Sequence, residues 1–133
     1  MSGKFHKGLQ NINWYATKTK GAEELSKTFL TGSDFRLLFY LLSKINDDNQ
    51  VKLDNYENIG NEIGMTKTTI KKSIMNLKAN KIIAKDIEEV KTLFINPTFF
   101  YAGNHKQLEE KQKFFDKCYT EYLKNKSKMT TKK

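Results

Sequence analysis

Between Tyr56 and Lys81 the chain reads YENIGNEIGMTKTTIKKSIMNLKANK, and its apolar spacing constrains this stretch to two short helices joined by a tight turn. Ile59 and Ile63 stand four residues apart, on one face of a first helix, and Gly64 follows where a left-handed C-cap residue would end it. Met65 bridges to Thr66, a good N-cap, whose hydroxyl can accept a hydrogen bond from a free backbone N–H two or three residues on. In the second helix Ile70, Ile74 and Leu77 recur at four and three residues and form the buried stripe. Lys67, Thr68, Thr69, Lys71, Lys72, Ser73 and Asn76 fall elsewhere on the wheel.

Charge is sorted by helix. The first half carries Glu57 and Glu62 and no base, and the second carries Lys67, Lys71, Lys72, Lys78 and Lys81 and no acid. A helix that lies in a groove lined by phosphates needs positive and small polar side chains, and acids there would cost affinity. The expected DNA-facing set is therefore Thr66, Lys67, Thr68, Thr69, Lys71, Lys72, Ser73 and Asn76. By itself, a basic helix fits a small hairpin with a solvated face equally well.

The segment after Lys81 favours DNA binding. In IIAKDIEEVKTLFIN, residues Ile82–Ile87 and Thr92–Ile95 are apolar and β-branched runs separated by a polar break at Glu88–Lys91, which reads as a hairpin. Helix, turn, helix and hairpin is the order of a winged-helix domain. Lys91, in the hairpin loop, joins the expected contacts. Upstream, Thr31 and Asp34 form a capping-box pattern, and Phe35, Leu38, Phe39 and Leu42 make one stripe, widened by Leu37, Leu41 and Ile45. Val51–Leu53 offers a short strand to pair with the wing. Asn96-Pro97 ends the second wing strand, since proline has no N–H for a ladder.

The flanks are less periodic. Phe5, Leu9, Ile12, Trp14 and Tyr15 are too many apolar groups for a free tail, and residues 1–29 read as a partly ordered arm. From about Lys106 to Lys124, within residues 105–125, Leu108, Phe115, Cys118, Tyr119, Tyr122 and Leu123 give an amphipathic helix with an aromatic stripe. Such a stripe packs on its own domain or, through Phe115, Tyr119 and Tyr122, on a second copy to make a homodimer. Residues 126–133 carry no apolar pattern and read as a disordered basic tail.

Of the formal charge of +9 on 133 residues, +3 lies in residues 1–30, +1 in residues 31–100 and +5 in residues 101–133. The basic character of the central domain is thus local to one helix, with charged flanks suited to phosphate contact. Arg36 is the only arginine among 24 basic residues, so lysine, threonine, serine and asparagine are left to read base edges, which favours A/T-rich duplex. One cysteine, Cys118, excludes an intramolecular disulfide and suits a reducing compartment. No run approaches the roughly 18 apolar residues of a membrane span, and the expected location is the cytoplasm.

The segment Leu30–Asn104, about 75 residues, resembles the winged-helix domain of plasmid replication initiation proteins of the RepL type. The likeness rests on an apolar helix opening with LTGSDF, on IGNEIGMTKTTIKKSIMNLKANKII, and on the wing exit INPTFFYAGN. The helix-turn-helix is shared by many bacterial regulators; the exit motif discriminates more. The resemblance implies a protein that binds its plasmid's origin, and its own promoter in some settings, to help start replication.

The expected fold is mainly α with a small β-hairpin (α+β): a winged helix-turn-helix over residues 30–104, with an N-terminal arm and an extra C-terminal helix. A nicking initiator needs a tyrosine near a metal held by closely spaced histidines, whereas His6 and His105 are isolated, and there is no GxxxxGK[ST] phosphate loop. The chain reads as a non-enzymatic DNA binder without cofactor or metal. A transcriptional repressor of MarR-like winged-helix type needs the same surface, and a protein-interaction module that kept only the fold is disfavoured by the acid-free helix.

Overall fold

The computed structural model describes residues 15–131. Phe5, Leu9, Ile12 and Trp14 of the arm, and the last two lysines, lie outside the described residues. In chain order the elements are β1 (Ala16–Thr17), α1 (Thr19–Leu25), α2 (Gly32–Leu42), β2 (Gln50–Lys52), α3 (Tyr56–Ile63), α4 (Lys67–Ala79), β3 (Ile83–Lys85), β4 (Thr92–Ile95), β5 (Phe100–Tyr101), a 3-10 turn (His105–Gln107) and α5 (Leu108–Thr131). This is a winged-helix architecture with an additional C-terminal helix.

Helix α2 starts where Thr31 accepts from Asp34 N–H at 3.2 Å and Asp34 returns the bond by accepting from Thr31 N–H at 2.9 Å, a complete capping box. Its buried face is Leu37, Leu38, Leu41 and Leu42, which meets Ile59, Ile70, Ile74 and Leu77 of α3 and α4 in the main core. Phe39, expected in that stripe, is 55% exposed. The buried arc centres on Leu37, Leu38 and Leu41, so position 39 turns to the far side.

Strand β4 is central in a three-stranded antiparallel sheet of order β2-β4-β3. Val51 lies opposite Leu93, and Ile83 opposite Ile95. The first wing strand is shorter than the apolar run suggests. Asp86 turns the chain by accepting from the N–H groups of Glu88 and Glu89 at 2.8 and 3.0 Å. Every residue of β4 is buried. Alternation splits them: Leu93 and Ile95 face the helical core, and Phe94 faces a second cluster with Ala84, Phe115 and Cys118.

That second cluster settles the packing of the aromatic stripe. Phe115 is 0% exposed, tilted against Phe94 at 6.5 Å and stacked on Tyr119 at 6.0 Å. A strand apolar on both faces requires cover on both, and α5 supplies the second cover. Phe115 is therefore not available as a dimer contact, contrary to that expectation; Tyr119 and Tyr122 are half-buried. Burial also pushes the Cys118 thiol up from its ordinary value. Helix α5 runs on to Thr131, through most of the segment that composition marks as a tail; nothing there is Gly or Pro, and lysines suit a helix C-terminus.

The exit motif has a specific mechanical job. Asn49, buried with φ +63°, donates its amide to the carbonyls of Ile95 (3.0 Å) and Phe100 (2.9 Å) and accepts from Ala102 N–H at 2.8 Å. Asn96 donates to Lys81 O at 2.8 Å and accepts from Gln112 of α5 at 3.0 Å. The buried Lys111 donates to Ala102 O at 3.0 Å and to Asp47 O, tying α5 to the loop before β2. Within the arm, β1 pairs with β5, and Gly21 of α1 lies so close to Thr98 O that a Cβ there would stand at 2.4 Å.

Candidate nucleic-acid interface

The turn between α3 and α4 is built from backbone constraints. Gly64 adopts φ +71°, the left-handed cap expected from the sequence, and Met65 N–H donates to Gly60 O at 2.9 Å. A Cβ on Gly60 would stand 2.3 Å from Met65 O, so the first helix and the turn can approach this closely only at glycine. Arg36 donates its guanidinium to Ile63 O at the C-terminal end of α3, where a cation also suits the helix dipole. The one arginine is thus used to hold the turn. Thr66 caps α4 by accepting from Thr69 N–H at 3.1 Å, and its hydroxyl donates to Thr69 Oγ1 at 2.9 Å.

Helix α4 buries Ile70, Ser73, Ile74 and Leu77. Of the expected contact residues, Lys67, Thr68, Lys71, Lys72 and Asn76 are exposed on α4, Thr66 is exposed at its cap, Thr69 is half-buried, and Lys91 is exposed in the wing. Ser73 is 2% exposed and does not belong to that surface. Its place between Ile70 and Leu77, at three and four residues, already puts it inside the buried arc.

Asp34 is the residue that sequence reasoning missed in this role. Its carboxylate, 1% exposed, accepts from Asn76 Nδ2 at 3.2 Å and from the Ser73 hydroxyl as well as from Thr31 N–H. Burial alone would raise this carboxyl, but the hydrogen bonds from Thr31, Ser73 and Asn76 outweigh it and hold Asp34 below its ordinary value. A buried, ionised carboxylate therefore clamps α4 to the start of α2. Only the capping half of this was legible, because Asn76 lies 42 residues away.

Of the two acids of α3, Glu62 is held away from α4. Glu62 accepts from Tyr40 OH at 3.0 Å and approaches Lys44 at 3.8 Å, toward α2. The exposed face of α4 is left with lysine, threonine, Met75, Asn76 and Ala79. In the wing, Lys91 shares its loop with exposed Glu88 and Glu89. No group of three or more metal-ligating side chains occurs among the described residues, and no helix there is long and apolar enough to cross a membrane.

A capped, acid-free second helix on a three-stranded sheet defines a winged helix-turn-helix protein. The model of the Firmicute plasmid replication protein family (RepL) matches residues 24–133, and the chain belongs to that family, which gives it a role in plasmid replication. The match runs from the last two residues of α1 through the whole of α5. No curated protein and no solved structure matches the chain.

Proposed function

We propose that the chain binds double-stranded DNA at its plasmid's replication origin, with α4 in the major groove. The observation that carries this is the exposed face of α4, where Lys67, Thr68, Lys71 and Lys72 stand without an acid while Glu62 is tied back to α2. Lys67, Lys71 and Lys72 contact phosphates and groove. Thr68, and Thr69 through its methyl, meet thymine methyls, and Thr66 positions the helix N-terminus toward the backbone. Asn76 keeps one amide hydrogen on Asp34 and offers its carbonyl oxygen outward to a base donor. Lys91 adds little, because Glu88 and Glu89 offset its charge. Membership of the replication family favours an origin over a repressor's operator.

Selection of the full chain on random duplexes tests this reading. The expected consensus is A/T-rich, and Thr68→Ala with Thr69→Ala should relax the preference at the T·A positions. A G·C-rich consensus, or unchanged specificity in the double variant, contradicts the base-reading role of α4.

A further inference from the structure

Two surfaces extend beyond the proposed DNA contact, which they border at Asn76 and Lys91, and they complement each other. One is a groove of about 950 Å3 bounded by the C-terminal half of α4, the wing base and α5. Met75 (61% exposed), Ile87 (46% exposed) and half-buried Tyr122 make it largely apolar. Lys78 and Lys85 stand in its wall. Burial, and then the neighbouring Lys85, hold the Lys78 ammonium below the ordinary lysine range, and neither lysine forms an ion pair among the described residues. The nearby Asp86 is already occupied by Gln50 Nε2 at 2.9 Å and by the wing backbone, and Glu121 stands on the α5 wall.

The other surface is the wing tip, where Val90 is 82% exposed directly after exposed Glu88 and Glu89. The tip is held in shape. Asp86 accepts from both glutamate N–H groups, Thr92 Oγ1 donates to Val90 O at 3.0 Å, and Leu53 N–H donates to Lys91 O at 2.8 Å. With two acids against the single base Lys91, this apolar tip is net negative, less suited to phosphate than to an apolar groove flanked by cations.

We propose that the groove receives the wing tip of a second copy of this chain, with Val90 against Met75, Ile87 and Tyr122, and Glu88 and Glu89 facing Lys78 and Lys85. Ile87 lines the groove and the tip begins at the next residue, so donor and acceptor are adjacent. Two copies then satisfy both contacts about one two-fold axis, and the pair closes instead of growing into a chain. A nucleic-acid strand fits less well, since the Tyr122 ring is already engaged by Tyr119 at 5.3 Å and by the Lys126 ammonium at 6.0 Å. The contact is small, so the pairing is weak in solution and strengthened when two copies occupy neighbouring DNA sites.

Sedimentation velocity of the full chain over a concentration series, without DNA, tests this independently of the DNA-binding reading. Wild type should show a monomer–dimer equilibrium, and Val90→Asp, Glu88→Lys/Glu89→Lys and Lys78→Glu/Lys85→Glu should each weaken it by about tenfold or more. A chain carrying all four charge reversals should regain most of the association, because the swapped charges again face opposite partners. Wild type that stays monomeric, wing variants that associate unchanged, or a four-site reversal that fails to recover overturns the proposal. So does a groove variant that loses duplex affinity while wild type stays monomeric, which would assign the groove to DNA. Val90→Asp, at a solvent-exposed position, decides the matter should the lysine variants fold poorly.

Discussion

Replacing Asp34 by Asn should destabilise the domain and should do so in a pH-dependent way. The carboxylate accepts from Thr31 N–H at 2.9 Å and Asn76 Nδ2 at 3.2 Å, and also from Ser73. Hydrogen bonds to a charged group contribute about 1.5–3 kcal/mol each, and a buried donor left unpaired costs about 1–3 kcal/mol. Thr31 N–H and Asn76 Nδ2 share one oxygen, Oδ2, so an asparagine that puts its carbonyl oxygen there keeps both only as neutral bonds, about 1 kcal/mol weaker each, and sets a new donor where the other oxygen stood. The expected cost near pH 7 is about 3 kcal/mol. Because the folded-state carboxyl is held below its ordinary value, this stabilisation is fully present above the unfolded-state value of about 3.9 and is lost as pH falls through the folded-state value. Urea denaturation of wild type and Asp34→Asn at pH 7 and at several acid pH values reads it directly. The gap between the two proteins should narrow as the medium becomes more acid. A gap that is absent at pH 7, or that persists unchanged into strong acid, would refute the view of Asp34 as an ionised clamp on α4.

Two further outcomes rest on packing. Phe115→Ala, at a position 0% exposed, should cost about 3–5 kcal/mol in denaturant titration without depending on protein concentration; a loss confined to dilute protein would return Phe115 to an intermolecular contact. Gly60→Ala should lower thermal stability by several degrees, because its Cβ would meet Met65 O at 2.3 Å, whereas Gly32→Ala, with nothing within 4 Å, should leave it within error. Equal melting temperatures for the two variants would show that the turn relaxes around the added methyl.

Legibility in the sequence depends on how far apart the partners lie in the chain. The stripe Ile70, Ile74, Leu77, the Gly64 cap, the Thr66 cap and the Thr31–Asp34 box are all local, and each stands where spacing and capping chemistry put it. Ser73 departs from the exposed set because its residue type suggests a surface while its position lies inside the buried arc, and a serine there is buried when a carboxylate waits for it. The place of α5 is written in β4 rather than in α5. Thr92-Leu93-Phe94-Ile95 has no outward-facing position, and a helix with an aromatic stripe downstream is the natural cover. The clamp from Asp34 to Asn76 and the Asn49 bonds to Ile95 and Phe100 join residues far apart in sequence, and no periodicity announces them.

The most direct measurement is the salt dependence of duplex binding by Lys67→Ala/Lys71→Ala/Lys72→Ala, followed by fluorescence anisotropy on a duplex that wild type selects. All three side chains are exposed, so melting temperature should hold. If each neutralises one phosphate, the log–log slope should become shallower by about 2.7 units and affinity at low salt should collapse. A folded triple variant with the slope and affinity of wild type would contradict α4 as the DNA-binding surface.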